Sequence, residues 1–271
     1  MRYISMYQSF FDSSGLIRNI VTKNYYQLVS HFLDHTGVSF MNYGYAEVGL
    51  NYKTIILNDP DEPYRMPIQL YHHLASSVSL EGKDVLEVSC GRGGGAAFVN
   101  QYHHPRSLVG IDRTSRAIAY CRRQHHQPGL SFMEGDAEAI VFGNECFDIV
   151  LNVEASHLYC FVDTFFAEVR RVLRHGGYLL MADKRTSAEI PILHHQISNC
   201  GLQVVSEQDI SANVLQAIGL QQGLRIQMLQ NLLPHHLTWL AIHLIGADGS
   251  HLANSLANDT SVYLSLVLRR V

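Results

Sequence analysis

The feature that most constrains the fold of this chain is a glycine-rich turn that follows a short apolar run. Residues 84–96 read D-V-L-E-V-S-C-G-R-G-G-G-A, with four glycines in the last six positions. A turn of this kind between a buried strand and a helix brings the backbone close to a bound cofactor. Read alone, Gly91-x-Gly93-x-x-Ala96 satisfies the dinucleotide fingerprint. The turn therefore predicts a strand–turn–helix unit that opens a cofactor-binding α/β fold.

Short apolar runs alternate with amphipathic segments from residue 83 onward. The predicted strands are 83–88, 107–112, 130–137 with its turn, 147–153 and 177–183. Helical patterns separate them, and the helix before the fifth strand is expected to stop at His175-Gly176-Gly177. This alternation predicts βαβ units and a parallel sheet.

The remaining segments have no place in that parallel sheet. Residues 1–80 show helical spacing with irregular breaks, and a Leu/Gln-rich stretch at about 209–245 is mostly helical. Residues 204–205 could form a strand, and 261–268 form a run of strand formers expected at the sheet edge. We expect 1–80 to be a helical cap on the substrate side and 81–271 to be the cofactor domain, with the 209–245 insert also covering the site.

Composition excludes several classes of protein. The net charge is −4 without a basic stripe, which argues against a nucleic-acid partner. No window reaches 18 apolar residues, and the amino terminus lacks an apolar leader with a cleavage site. The five cysteines are odd in number and form no C-x-x-C, which is typical of a reducing compartment. We expect a cytoplasmic protein without stable membrane insertion.

Histidine is unusually frequent, with 16 copies that include five adjacent pairs. Neighbouring residues on a helix or strand point in different directions, so an adjacent pair rarely binds one ion. The sequence contains no H-E-x-x-H. We predict no metal site.

Three acids lie at the ends of successive predicted strands. Glu87 precedes the first glycine by four residues, where a carboxylate would repel a pyrophosphate but attract a cation. Asp112 ends the second strand and could accept both ribose hydroxyls, while Asp136 in G-D-A follows the third and could meet an adenine. S-adenosylmethionine (SAM) fits this set, because it carries a sulfonium and an ammonium and has no phosphate.

Five ordered strings strengthen this interpretation: L-E-V-S-C-G-R-G-G-G, G-I-D, G-D-A-E, F-D-I-V-L-N-V-E-A-S-H and R-V-L-R-H-G-G-Y-L-L-M-A-D. Together they resemble the class I SAM-dependent methyltransferases. Their sequences are similar to those of the phthiotriol/phenolphthiotriol dimycocerosate O-methyltransferases, which act on hydroxyls of large lipid and polyketide products. The resemblance covers about 65–220 well and the first 60 residues weakly. It implies a Rossmann-like, mostly parallel seven-stranded sheet flanked by helices, with SAM as cofactor and S-adenosylhomocysteine as product.

The resemblance also assigns cofactor-binding residues by position. It implies that the methionine end is lined by Glu87, Ser89, Gly91 and Gly93. The ribose would be bound by Asp112 with Arg113 beside it, and the adenine by Asp136 and Ala137. Asn152 and Val153, at the end of the fourth strand, should also contact the cofactor. Ser89 departs from the glycine of most class I enzymes, and Arg92 and the third consecutive glycine, Gly95, are further departures.

Methyl transfer to a hydroxyl is helped by a general base. His157, four residues past Val153, is the candidate, and Glu154 is the second choice; Glu154 could equally orient His157 or bind the cofactor. The aromatic stretch with Met41, Tyr43 and Tyr45 could close over the acceptor, and the Leu-rich insert could form the other wall. Each of these residues could instead serve local packing.

The most plausible function is therefore O-methylation of a sizeable apolar, natural-product or lipid-like acceptor. C- or N-methylation and a SAM-fold protein without transferase activity stay open as alternatives. An NAD(P)-dependent oxidoreductase is the outside alternative, and it leaves Glu87 and the G-D-A turn unexplained. The apolar N-terminal region could support a homodimer.

Overall fold

The computed structural model describes residues 37–49, 51–232 and 249–271, with a few single positions outside these ranges. The strands are β1 (Asp84–Val88), β2 (Ser107–Asp112), β3 (Leu130–Glu134), β4 (Phe147–Val153), β5 (Leu173–Thr186), β6 (Leu202–Asp209) and β7 (Ser261–Arg270). The helices are α1 (Arg65–Ala75), α2 (Gly94–His103), α3 (Ser115–Gln124), α4 (Val162–Val172), α5 (Ile190–Asn199), α6 (Ser211–Leu232) and α7 (Ser250–Ala257), with 3-10 turns at Asp59–Tyr64 and Ser156–Leu158. The helices predicted closest to the amino terminus and the last part of the 209–245 insert lie outside the described ranges.

All seven strands form one sheet in the order β3-β2-β1-β4-β5-β7-β6. Strands β1 to β5 are parallel, and β7 runs antiparallel to both of its neighbours. This confirms the predicted mostly parallel, seven-stranded α/β fold. From β1, the chain adds β2 and β3 on one side and then β4 and β5 on the other. A crevice is therefore expected at the carboxyl ends of β1 and β4, where the connections leave in opposite directions.

Two sequence-based expectations about element positions are wrong. The run at 261–268 does not lie at the sheet edge, because β7 inserts between β5 and β6. Its continuous burial is typical of an inner strand, whereas β6, mostly exposed, forms the edge. Helix α4 ends at Val172, before the predicted glycine stop, because Leu173 is already extended and pairs with Phe147.

The core consists of two apolar layers, one on each face of the sheet. Helices α1, α2, α3, α6 and α7 contribute to one layer, and α4 and α5 contribute to the other. On α4, Phe165 and Phe166 are fully buried, and each buried aromatic of this size stabilises the fold by about 1.5–3 kcal/mol. None of the helices in the described ranges is long and apolar enough to cross a membrane.

Candidate active site

The loop between β1 and α2 turns tightly because three of its residues have left-handed backbone conformations. The φ angle is 60° at Ser89, 54° at Gly91 and 76° at Gly93. A Cβ on Gly93 would lie 2.8 Å from the ring of Phe132, so a side chain is excluded there on steric grounds as well. At Ser89 the left-handed conformation costs about 1–2 kcal/mol. A hydrogen bond of 2.7 Å between Ser89 Oγ and the Tyr159 hydroxyl offsets part of this cost.

The amino terminus of α2 is covered by residues 37–49, which we call the arm. The Gly94 N–H donates to the Ser39 carbonyl oxygen at 3.2 Å. The Arg92 guanidinium donates to the Val38 carbonyl at 2.6 Å and lies 3.4 Å above the Tyr120 ring. A phosphate-binding loop leaves the first N–H groups of its helix for the anion. Because the arm occupies this position, the dinucleotide reading of the glycine motif is disfavoured.

Gly95 makes room for a hydrogen bond to Glu87. A Cβ at Gly95 would lie 1.9 Å from the Tyr71 ring, which passes directly over this position. The Tyr71 hydroxyl donates to Glu87 Oε1 at 2.7 Å. The third consecutive glycine, for which the sequence offers no reason, is therefore required by the packing of α1 on α2.

The Glu87 carboxyl is buried, and only one of its two oxygens has a hydrogen-bond partner among the described residues. Burial raises its pKa to about 8, against the opposing hydrogen bond from Tyr71 and with a further contribution from the Asp112 charge. Nothing in the described part of the chain hydrogen-bonds to its Oε2. A buried polar atom without a partner costs about 1–3 kcal/mol. A ligand that brings a positive charge or an N–H donor would remove this cost, which is what the ammonium end of SAM offers.

Asp112 closes the glycine loop from the neighbouring strand. Its Oδ2 accepts the Gly91 N–H at 3.0 Å, and its Oδ1 accepts the Thr114 N–H at 2.8 Å. Burial raises its pKa, and these hydrogen bonds oppose the shift. Arg113 follows directly and is half-buried. The buried Glu87 carboxyl and the partly buried Asp112 carboxyl lie at the ends of adjacent strands, so this crevice favours a cationic ligand over an anionic one.

The turn after β3 places Asp136 and Ala137 beside the same end of the sheet. The Asp136 Oδ1 accepts the Glu138 N–H at 2.9 Å, as in an Asx turn. Ala137 is buried. Their assignment to the adenine stays a prediction.

Asn152 joins the ends of β4 and β1. Its side-chain amide donates to the Val88 carbonyl at 3.0 Å and to the Tyr159 hydroxyl at 2.8 Å. Its Oδ1 is buried and has no hydrogen-bond partner among the described residues. Val153, the next residue, is buried and pairs with Ala182 on β5. Asn152 is thus the second residue at this crevice with an unsatisfied polar atom.

His157 is held by Asp183. Its Nδ1 lies 2.6 Å from Asp183 Oδ1, and its backbone N–H donates to Asp183 Oδ2 at 2.9 Å. The histidine side chain is 17% exposed and the aspartate side chain 2%. In the tautomer in which Nδ1–H donates a hydrogen bond to the carboxylate, Nε2 carries the lone pair and can accept a proton. Burial opposes ionisation of Asp183, but its interactions with His157, Arg185 and Ser156 outweigh this effect and hold its pKa below the usual range.

Glu154 anchors the arm. It has a left-handed φ of 51°. Its Oε1 accepts the Tyr43 N–H at 2.7 Å and the Tyr263 hydroxyl at 2.6 Å. Burial raises its pKa to about 7, which these two hydrogen bonds oppose. The residue that orients His157 is accordingly Asp183, and Glu154 ties the arm to β7.

The three predicted acceptor-side residues lie at different places along the arm. Met41 is 41% exposed, and its sulfur lies 3.9 Å from the position of a Cβ on Gly91. Tyr43 lies beside Glu154, with the Arg225 guanidinium 5.3 Å from its ring centre. Tyr45 is buried and stacks on His73 at 4.6 Å, so it faces α1. Met41 and Tyr43 are the two that lie next to candidate site residues.

Sequence reasoning missed Asp183, Tyr71 and Tyr159. The sequence could have indicated Asp183 as a candidate, because it is the acid that ends the predicted fifth strand, as Asp112 ends the second. Tyr71 and Tyr159 lie outside the glycine motif and reach the site through packing of α1 and of the turn after β4. Only the tertiary structure shows their contacts.

The adjacent histidines contact separate partners. His72 meets His103 at 3.3 Å, and His73 meets Ser265 at 3.0 Å. The described ranges hold no cluster of three or more His, Cys, Asp or Glu side chains that could bind a metal ion.

Comparison with known proteins agrees with this geometry. A family model for a methyltransferase domain matches residues 86–181. The chain is 39% identical, over 90% of its length and 89% of the relative, to the phthiotriol/phenolphthiotriol dimycocerosates methyltransferase of Mycobacterium leprae (strain TN). It is 42% identical, over 71% of its length and 70% of the relative, to a fatty-acid O-methyltransferase of Mycolicibacterium smegmatis (strain ATCC 700084 / mc(2)155).

Solved structures support the fold. The cyclase SpnF has a TM-score of 0.68 at 18% identity, with 92% of this chain and 94% of SpnF covered. A geranyl diphosphate methyltransferase in complex with SAM has a TM-score of 0.65 at 15% identity, with 87% of this chain and 100% of that chain covered. The long match to curated relatives shows that the chain belongs to the family of the phthiotriol/phenolphthiotriol dimycocerosates methyltransferases and, with this fold, is a class I SAM-dependent methyltransferase.

Proposed function

We propose that this enzyme methylates an oxygen of a large apolar, lipid-like acceptor, with His157 as the general base. The observation that carries the proposal is the 2.6 Å contact between His157 Nδ1, on the turn that follows β4, and Asp183 Oδ1, on β5. SAM, when bound, would supply an activated methyl group, because its sulfonium becomes a neutral thioether when the methyl group is transferred. The protein has to hold the cofactor, orient the acceptor and exclude water.

The residues that would hold SAM surround the glycine loop. Glu87 and Asn152 each have a buried oxygen without a partner in the described chain, which a ligand could satisfy. Ser89, Gly91 and Gly93 would line the methionine end with them, and Asp112 and Arg113 would meet the ribose. Asp136, Ala137 and Val153 complete the proposed set.

His157 would take the acceptor proton on Nε2. Asp183 holds the opposite nitrogen, so it fixes the tautomer and stabilises the imidazolium that forms. General base catalysis of this kind contributes about 10²–10⁴-fold to a rate. A neutral hydroxyl gains most from it, because an alcohol is a poor nucleophile until its proton leaves.

The arm and α6 support an apolar acceptor. Gln221 and Arg225 of α6 donate to the Tyr43 and Asn42 carbonyls at 2.6 and 2.7 Å, so this helix packs on the arm. Met41 leaves an apolar side chain exposed beside the glycine loop. The curated relatives are named for phthiotriol-type lipids and fatty acids, which are long apolar molecules.

Mutation of His157 tests the base. With a long-chain secondary alcohol and saturating SAM, His157→Ala and Asp183→Asn should each lower kcat by about 10²-fold or more, while the dissociation constant of SAM stays near wild type. Product is measured by mass spectrometry as a gain of one methyl group. Exposed His194→Ala is the control and should behave as wild type. A loss of less than about tenfold in His157→Ala means that positioning alone suffices.

Methylation of a carboxyl group is the second candidate, favoured by the fatty-acid O-methyltransferase relative. A fatty acid is already ionised near neutral pH, so its oxygen needs no base. If the natural acceptor is a carboxylate, His157→Ala should retain ester formation from a long-chain fatty acid while ether formation from the alcohol is lost. Mild alkali cleaves the ester and leaves the ether, which identifies the product.

A further inference from the structure

A buried arginine shares the carboxylate that holds His157. Arg185 lies on β5 two residues beyond Asp183, and only 6% of its surface is exposed. Its Nη1 lies 3.0 Å from Asp183 Oδ2. Its Nη2 donates at 2.5 Å to Ser156 Oγ, which in turn donates to the same Oδ2 at 2.7 Å.

The two oxygens of Asp183 therefore have separate partners. Oδ2 forms an ion pair with Arg185 Nη1 and accepts hydrogen bonds from the Ser156 hydroxyl and from the His157 backbone N–H. Oδ1 accepts from His157 Nδ1 and from the Lys184 backbone N–H. This arrangement fixes the plane of the carboxylate, so Oδ1 cannot turn away from the imidazole without breaking the bonds at Oδ2.

We propose that Arg185 is a positioning residue for methyl transfer, which acts on His157 through Asp183. It fixes the carboxylate against the imidazole, and its positive charge partly offsets the negative charge that Asp183 places beside the imidazole. The inference rests on the proposed role of His157 as the base. An uncompensated carboxylate beside a histidine favours the imidazolium, which cannot act as a base.

Other charged or titratable groups act on the same carboxylate. Glu154 at the end of β4, Tyr159 on the following turn and Tyr263 on β7 interact electrostatically with Asp183. Arg225 of α6 faces Glu154. These groups, and the neighbouring Lys184, are unchanged when Arg185 alone is replaced, so a shift in that variant reports on Arg185.

The test is the pH profile of kcat/KM for the long-chain alcohol. Replacing Arg185 by methionine should move the acid limb of the profile to higher pH by about one unit or more, because the imidazole is then protonated more readily. Arg185→Lys keeps the charge and should leave the limb within a few tenths of a unit of wild type. A structural defect alone would lower kcat/KM at every pH without moving the limb. Calorimetric binding of SAM checks that each variant is folded.

The profile of His157→Gln separates the two proposals. If the acid limb disappears in His157→Gln but does not move in Arg185→Met, His157 is still supported as the base. The role of Arg185 is then overturned. A limb that persists unchanged in His157→Gln overturns the base, and the role of Arg185 with it. If Arg185→Met does not fold, Ser156→Ala removes the hydroxyl that joins Arg185 to Oδ2. It should move the limb in the same direction by less, and an unmoved limb counts against the proposal.

Discussion

The carboxyl of Glu87 distinguishes this glycine loop from one that binds phosphate. The sequence indicates that this acid lies beside the cofactor, because it follows a run of apolar residues and precedes the first glycine by four positions. It does not predict that the group is buried with one oxygen satisfied by Tyr71 and the other left without a partner. Tyr71 precedes Glu87 by 16 residues on a helix outside the motif, so no local pattern connects the two.

Tyr71→Phe tests the hydrogen bond to Glu87. The Tyr71 hydroxyl favours the charged form of Glu87, so its loss raises the carboxyl pKa further above about 8. A hydrogen bond to a charged group contributes about 1.5–3 kcal/mol, so the affinity for SAM at pH 7 should fall by about tenfold or more. At pH 9 the loss should be smaller. Tyr102→Phe is a matched control, because Tyr102 donates to the Asp61 carboxylate at 2.6 Å away from the site. Equal affinities for wild type and Tyr71→Phe at pH 7 would refute the contact's role.

Among the elements, the first five strands are predictable and the packing between helices is not. Each predicted parallel strand is a short apolar run between turn residues, a pattern that depends only on local sequence. The strand β5 extends beyond its predicted bounds, 177–183, at both ends. The place of β7 depends on which neighbours it pairs with, and strand formers alone do not distinguish an inner strand from an edge. The need for Gly95 is equally hidden, because the Tyr71 ring that crosses it comes from α1.

Gly95→Ala tests the packing of α1 on α2. A methyl group would overlap the Tyr71 ring, so the ring must move and Glu87 loses its donor. We expect a lower melting temperature and SAM affinity reduced by about tenfold or more. Gly219→Ala on α6 is the control, since nothing lies near its Cβ position. It should be neutral or stabilising by about 0.5–1 kcal/mol.

A double-mutant cycle shows whether the overlap is the cause. In a Tyr71→Ala background the ring is absent, so Gly95→Ala should have little further effect on SAM affinity. Additive losses from the two changes would show that Gly95 acts by another route.

For the molecule as a whole, the site is assembled from segments far apart in the chain. The Glu154 carboxyl joins Tyr43 of the arm to Tyr263 of β7, and Arg92 joins the glycine loop to Val38. The sequence predicts which strand ends meet at the crevice, because parallel strands place their carboxyl ends together. It suggests that the aromatic stretch of the arm could close over the acceptor, but it does not predict the contacts of the arm with Glu154 and Arg92, since an irregular stretch has no periodic pattern. We propose that the arm and α6 contribute to the cap expected from residues 1–80 and 209–245.

The central claim is that a buried, protonated Glu87 makes this loop a binding site for a cation. Proton release on SAM binding tests this claim. With a pKa of about 8, the carboxyl holds its proton at pH 7. Contact with a cation favours the ionised form, so binding should release a proton, and affinity should rise with pH toward about 8. Calorimetric titration of SAM at pH 7, in buffers of different ionisation enthalpy, measures the number of protons. The account predicts about one proton released per site in wild type and close to none in Glu87→Gln. A heat that does not vary with buffer in wild type, or varies equally in Glu87→Gln, would contradict it.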